Sequence, residues 1–178
     1  MAPGVTPSHL EHRREGPAAV EIAIVTASDT RSAAEDASGS WLREAAAAAG
    51  HPVVSYAVVK DDPAEIRTAL EGALAAGARA IVIDGGTGIA ARDRTYEAVA
   101  GILEKRLDGF GELFRMLSYA EIGSAAMLSR AVAGAWNGRA VFSVPGSPDA
   151  VRLAWERLIG PELTHVVREL RKDAGHGP

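Results

Sequence analysis

Ala80-Ile81-Val82-Ile83-Asp84-Gly85-Gly86-Thr87-Gly88 is the stretch on which the fold turns. An apolar, β-branched run that breaks into glycines reads as a buried strand entering a tight loop. Glycines lack a Cβ and tolerate positive φ, so their backbone N–H groups approach an anion closely and suit a phosphate-bearing ligand. Arg92-Asp93-Arg94-Thr95 follows, with opposite charges on one turn and Thr95 as a candidate cap for a helix over 96–105. A helix starting there would face the same anion.

Outward from this segment the chain alternates short apolar runs with longer amphipathic ones. Strands are expected over 20–26, 53–59, 80–83 and 140–144. Helices are expected over 38–49, 63–76, 95–105, 110–119, 120–133 and 148–170, the last broken or kinked near Gly160-Pro161. Ser147-Pro148 reads as a cap with a first-turn proline, and Gly50 as a helix stop. Nearly continuous hydrophobic strands separated by helices imply a mostly parallel sheet covered on both faces, that is, a three-layer α/β/α sandwich.

Composition bounds the rest. The 178 residues are 47% hydrophobic and 24% charged, enough to bury one core. Residues 1–18 hold Pro3, Pro7 and Pro17 and a charged cluster without apolar period, so they read as a disordered tail, with a single domain over 19–172 and a flexible C-terminal tail over 173–178. A net charge of −4 argues against nucleic acid or an anionic membrane as partner of the whole chain. Without cysteine there are no disulfides, thiolate nucleophiles or thiolate metal sites, and a reducing cytoplasm is the expected location. No stretch reads as a membrane span or an export signal.

In parallel sheets of this class ligands bind beyond the carboxyl ends of the strands. Four segments lie there: Ser28-Asp29-Thr30-Arg31, Lys60-Asp61-Asp62, the glycine loop, and Pro145-Gly146-Ser147-Pro148. Asp29 reads first as an Asx turn or cap and second as a ligand-facing residue. Asp62, just before Pro63, suits a helix N-cap, which leaves Asp61 as the functional carboxylate. Asp93, beside the phosphate cradle, suits a divalent cation.

Carboxylates next to a nest of donors repel a polyanion unless Mg²⁺ stands between them. The inventory therefore points to phosphoryl or nucleotidyl transfer, where positioning and charge neutralisation matter more than a protein nucleophile. Asp61 and Asp93 are the candidate catalytic and metal-binding residues. Serine hydrolase chemistry lacks support, because His51 and His165 read as structural and His9, His12 and His176 fall in or near the tails. Phe110, Leu113, Phe114 and Leu117 recur at helical spacing and read as core or subunit interface. For Arg130, beside Ser129, contact with a phosphate and a solvated side chain both remain open.

Taken together, these segments resemble the MoaB/MogA family of molybdenum-cofactor biosynthesis proteins, its MoaB branch in particular. Asp36-Ala37-Ser38-Gly39, Ala49-Gly50-His51, Gly109-Phe110-Gly111-Glu112-Leu113-Phe114-Arg115 and Ala126-Met127-Leu128-Ser129-Arg130-Ala131 extend the match in family order to nearly the whole chain after residue 19. The resemblance implies a molybdopterin-binding fold, homotrimers that in some members pair into hexamers, and other cofactor-biosynthesis proteins as partners. Active members adenylylate molybdopterin with ATP and Mg²⁺, releasing pyrophosphate. By position, Asp61 and Asp93 match the family's two functional aspartates. The implied substrate and nucleotide contacts are Asp29, Gly85, Gly86, Thr87, Gly88, Arg92, Ser129, Arg130, Pro145, Gly146 and Ser147. Three positions depart from the pattern: Asp84 stands where Thr is usual, with its charge expected at the mouth of the loop, Tyr96 replaces Pro, and Arg94 replaces an apolar residue. A non-catalytic molybdopterin-binding or assembly protein of the same family is the alternative to the adenylyltransferase.

Overall fold

The computed structural model describes residues 18–172. Six strands, β1 (Ile22–Ala27), β2 (Val53–Val59), β3 (Ala80–Gly85), β4 (Lys105–Arg106), β5 (Val132–Trp136) and β6 (Arg139–Val144), form one sheet in the order β2-β1-β3-β6-β5-β4. The pairs β1/β2, β1/β3 and β3/β6 are parallel, while β5 and β4 extend the sheet antiparallel beyond β6. The helices are α1 (Ala37–Ala48), α2 (Pro63–Ala75), α3 (Thr95–Ile102), α4 (Asp108–Ile122), α5 (Pro148–Ala154) and α6 (Gly160–Arg171).

Strand side chains alternate between faces, so one sheet makes two cores. Ile22, Ile24 and Val82 pack with Leu42 of α1, Phe114 of α4, Val151 of α5 and Leu163 of α6. Ala23, Val25, Ile81 and Ile83 pack on the other face with Ile66 and Leu70 of α2 and Val99 of α3. This is the three-layer sandwich expected from the sequence. Each fully buried Ile or Leu contributes about 1.5–3 kcal/mol.

The expected caps form. Asp62 Oδ1 accepts from the amides of Ala64 (2.9 Å) and Glu65 (3.2 Å), and Ser147 Oγ accepts from Ala150 N at 3.3 Å. Gly50 follows α1 with φ +82°.

Three local expectations are corrected. Thr95 is the first residue of α3 rather than its side-chain cap, because its hydroxyl donates to Asp61 Oδ1 at 2.8 Å. That helix stops at Ile102, and Lys105–Arg106 pairs with β5 instead. No helix covers 120–133: α4 continues to Ile122, a 3₁₀ segment spans Gly123–Leu128, and β5 follows. Asn137 and Gly138, both with positive φ (+48° and +68°), make the two-residue turn of a β5/β6 hairpin. The irregularity expected near Gly160-Pro161 is present, as a π-helical turn over Trp155–Ile159. Pro161 has no N–H to give and its ring crowds the preceding carbonyls, so the Gly160 amide bonds instead to Trp155 O, five residues back. The expected tails, residues 1–17 and 173–178, lie outside the described residues.

Candidate functional site

All four parallel strands end at the same edge, and a cavity of about 410 Å³ opens there. The loop after β1 contributes Asp29 and Arg31, β2 contributes Asp61, β3 contributes Gly85 to Gly88 with Arg92 and Asp93 beyond, and β6 contributes Pro145 to Ser147. Leu128 and Ser129 close one side.

Glycine is required where these loops meet. Gly85 has φ +106°, and a Cβ there would collide with the Ala27 carbonyl. A Cβ on Gly86 (φ +53°) would overlap the Asp61 carboxylate and Thr95 Oγ1, and one on Gly88 the Asp93 carboxylate. One on Gly146 would stand 2.8 Å from Gly85 Cα. The β3 and β6 loops therefore touch backbone to backbone, and both candidate carboxylates lie directly against the glycine loop.

Asp61 is fixed through one oxygen. Its Oδ1 accepts from Arg94 N (3.1 Å) and Thr95 Oγ1 (2.8 Å), while its own amide donates to Asp29 Oδ1 at 3.2 Å. Asp29 thus holds the neighbouring strand end, while the turn it was expected to make is capped by Ser28 Oγ, which accepts from Thr30 N (3.3 Å) and Arg31 N (3.1 Å). Asp93 Oδ2 accepts from Ala90 N at 2.9 Å. Among the described residues Asp61 Oδ2 and Asp93 Oδ1 accept no hydrogen bond, so each carboxylate keeps an oxygen for a ligand. No ion pair forms between Asp93 and Arg92 or Arg94 among the described residues.

Arg130 is not simply solvated, the second of the readings left open for it. Its Nε donates to Thr87 O at 2.8 Å, its Nη2 to Gly88 O, and its Nη1 pairs with Glu97, while the guanidinium stacks 4.7 Å from the Tyr96 ring centroid. The hydrogen bond from Arg130 holds the Glu97 carboxyl below its ordinary range. Arg130 does not line the cavity; it clamps the glycine loop from outside. Because a trans peptide points its C=O and N–H oppositely, drawing Thr87 O to Arg130 turns the Gly88 amide the other way. The amides of Thr87 and Gly88 donate to no acceptor among the described residues.

Two residues escaped the sequence reading. Arg31 lines the cavity and donates from Nη1 to Gly146 O (3.0 Å) and Ser38 Oγ (3.2 Å), tying the β1 loop to the β6 loop. Its signal was present, as the one cation at the end of β1. Thr95, buried, orients Asp61.

Asp84 does not stand at the loop mouth. It is fully buried, shares its sheet face with Val82, and accepts from Thr26 Oγ1 and Ser38 Oγ, both at 2.9 Å. Burial pushes its carboxyl up to about 6. Arg31 is the cation that acts on it, and favours its ionised form. The two histidines read as structural do lie away from the cavity. His51 Nδ1 accepts from Val20 N at 3.2 Å, with its pKa lowered by burial, and His165 contacts Glu162.

A family profile described as a probable molybdopterin binding domain matches residues 23–165. The chain is 52% identical over 167 residues to molybdenum cofactor biosynthesis protein B of Halalkalibacterium halodurans, covering 92% of this chain and 97% of that protein. Its identity to the Bacillus subtilis protein of the same name is 50% over 165 residues, again 92% and 97% of the two chains. It superposes on a crystal structure of a molybdenum cofactor biosynthesis protein B with a TM-score of 0.85 at 49% identity, covering 89% of this chain and 99% of that one. With the tungsten cofactor synthesizing protein MoaB of Pyrococcus furiosus the TM-score is 0.81 at 37% identity, covering 88% and 99%.

Proposed function

The chain belongs to the MoaB/MogA family of molybdopterin-binding proteins of molybdenum cofactor biosynthesis, and from that premise we propose that it transfers AMP from Mg-ATP to molybdopterin. The observation that carries the proposal is the pairing, in one cavity, of a glycine loop whose Thr87 and Gly88 amides have no acceptor among the described residues with two carboxylates that each keep an oxygen free of them.

Among the described residues no group of three or more acidic or histidine side chains could hold a metal unaided. Mg²⁺ does not ask for one, since it commonly takes one or two carboxylates and completes its shell with phosphate oxygens and water. Asp61 and Asp93 fit that role, and a bound ion would offset the charge of the triphosphate and of the leaving pyrophosphate. Gly85 to Gly88 bind phosphate through backbone N–H groups, and Arg31 and Arg92 bring positive charge to the same cavity. Arg130 and Thr95 act indirectly, by holding the loop and Asp61. In the reaction a phosphate oxygen of molybdopterin forms a bond to the α-phosphorus of ATP, the bond from that phosphorus to the bridging oxygen breaks, and pyrophosphate leaves. No protein nucleophile enters, in keeping with a chain that has no cysteine and a cavity lined by no histidine among the described residues.

The reading includes a homotrimer, or a hexamer of paired trimers, working in the cytoplasm. Its support is an apolar face on α4 and the 3₁₀ segment: Met116 is 60% exposed, Tyr119 65%, Ile122 55% and Met127 80%. No helix among the described residues is long and apolar enough to cross a membrane.

The test is incubation with molybdopterin and Mg-ATP, followed by mass detection of the adenylylated pterin. Asp61→Asn and Asp93→Asn should each lower the rate by at least about a hundredfold without unfolding the protein. Molybdopterin binding without turnover in the wild type would sink the transferase and leave the non-catalytic pterin-binding protein.

A further inference from the structure

Beneath the glycine loop two hydroxyls and two carboxylates close a ring. Thr26 Oγ1 lies 2.6 Å from Asp36 Oδ2 and 2.9 Å from Asp84 Oδ2. Ser38 Oγ lies 3.0 Å from Asp36 Oδ1 and 2.9 Å from Asp84 Oδ1. All four side chains are buried, none more than 1% exposed. A hydroxyl carries one proton and an ionised carboxylate none, so Thr26 and Ser38 supply two protons for four oxygen–oxygen contacts. With both carboxyls ionised, two of the contacts would set lone pair against lone pair in a site without water exposure. One added proton removes part of that deficit.

The surroundings decide which carboxyl takes it. Asp36 also accepts from Gly39 N (3.0 Å) and Tyr56 OH (2.7 Å). Burial opposes its ionisation, but the bonds from Thr26, Gly39, Tyr56 and Ser38 together hold it below its ordinary range. Among the described residues Asp84 has no donor other than the two shared hydroxyls, and its burial pushes it the other way. Asp84 also borders the proposed phosphate site: it immediately precedes Gly85, and Ser38 Oγ accepts from Arg31, which lines the cavity.

Resting on the proposed phosphate site, we propose that Asp84 is a positioning residue that holds a proton shared with the Asp36 network, and that anion binding at the glycine loop is linked to uptake of that proton. An anion beside Arg31 offsets the positive charge that favours ionised Asp84, and its own charge disfavours it further. The charged and titratable groups facing Asp84 are Asp36 and Ser38-bound Arg31, with Tyr56 of β2 behind Asp36 and Arg43 of α1 over the Tyr56 ring. Val144, its partner on β6, carries no charge.

The experiment is a ¹³C NMR titration of aspartate side-chain carboxyls in the full-length protein from about pH 4 to about pH 8, with and without inorganic sulfate, whose own charge is constant there. One resonance, missing in Asp84→Asn, should titrate well above the ordinary aspartate range, and one missing in Asp36→Asn should stay ionised below it. Saturating sulfate should raise the Asp84 midpoint, and sulfate affinity should rise with falling pH by up to about tenfold per pH unit in the linked window, a dependence lost in Asp84→Asn. Ser38→Ala keeps both carboxyls and removes one shared donor, so it should raise the Asp84 midpoint further. If both resonances titrate together in the ordinary range while sulfate still binds, this inference alone falls. A midpoint unmoved by bound sulfate, or by Ser38→Ala, also overturns it. Failure of the wild type to bind sulfate at any pH overturns the linkage and the phosphate site together.

Discussion

Replacing Gly86 with Ala separates two costs that the structure assigns to different parts of the molecule. Gly86 and Gly50 both have positive φ, +53° and +82°, so an alanine at either carries the left-handed penalty of about 1–2 kcal/mol. Apart from the adjoining residues, Gly50 has no described atom within 4 Å of the added Cβ, and nothing more is lost there. At Gly86 the methyl would occupy the space of Asp61 Oδ2 and Thr95 Oγ1, and Asp61 must move. Its bonds from Arg94 N and Thr95 Oγ1, net about 1 kcal/mol each, go with it. Urea unfolding should therefore place Gly86→Ala about 2 kcal/mol below Gly50→Ala, at unchanged denaturant slope. Mg-ATP affinity should fall at least about tenfold in Gly86→Ala and stay at the wild-type level in Gly50→Ala, since displacement of a positioned group costs function steeply. Equal stability loss in the two variants would refute the packing of Asp61 on the loop, and retained affinity would refute its role.

Asp84 should leave a signature in stability against pH. Its carboxyl rises from 3.8 to about 6 on folding, so the folded state binds its proton more tightly, and this contribution is full below 3.8 and lost as pH climbs through about 6. At 1.36 kcal/mol per unit that is about 3 kcal/mol; Asp84→Asn should flatten unfolding free energy over this window, and an unchanged slope would contradict it. Met116→Glu with Tyr119→Glu should turn a trimer into monomers by light scattering, because both side chains are exposed on the apolar face of α4. A monomeric wild type at micromolar concentration would remove that interface from the account. Arg130→Gln should loosen the glycine loop, read as lower backbone NMR order parameters at Thr87 and Gly88, with those of α2 unchanged.

The parallel core was legible because its strands are unbroken apolar runs with helix caps at predictable places, as at Asp62 and Ser147. The antiparallel extension was not. Val132-Ala133-Gly134-Ala135-Trp136 is alanine- and glycine-rich, and its periodicity does not separate helix from strand. Asn137-Gly138 was the available signal, and the physical reason for the small residue is visible at Gly134, where a Cβ would strike the Lys105 carbonyl of the paired strand. Asp84 was placed in the loop because of its position in sequence; strand parity with Val82 sends its side chain to the α1 face instead. Arg130 was ambiguous because its partners are carbonyls of a loop whose shape only the folded chain defines.

The contact of Gly146 against Gly85 bears on how the chain reaches this structure. β1 and β3 pair early in chain order, but the other edge of β3 waits for β6, made only after the antiparallel β5 has been completed. Until then Ile81 and Ile83 border an unpaired strand edge, open to pairing with another chain. The strand that carries the glycine loop is thus also a segment that a ribosome-bound or truncated chain leaves open to aggregation. Only when β6 docks does the wall of Pro145 to Ser147 exist, so a chain that binds at this cavity has necessarily finished its sheet.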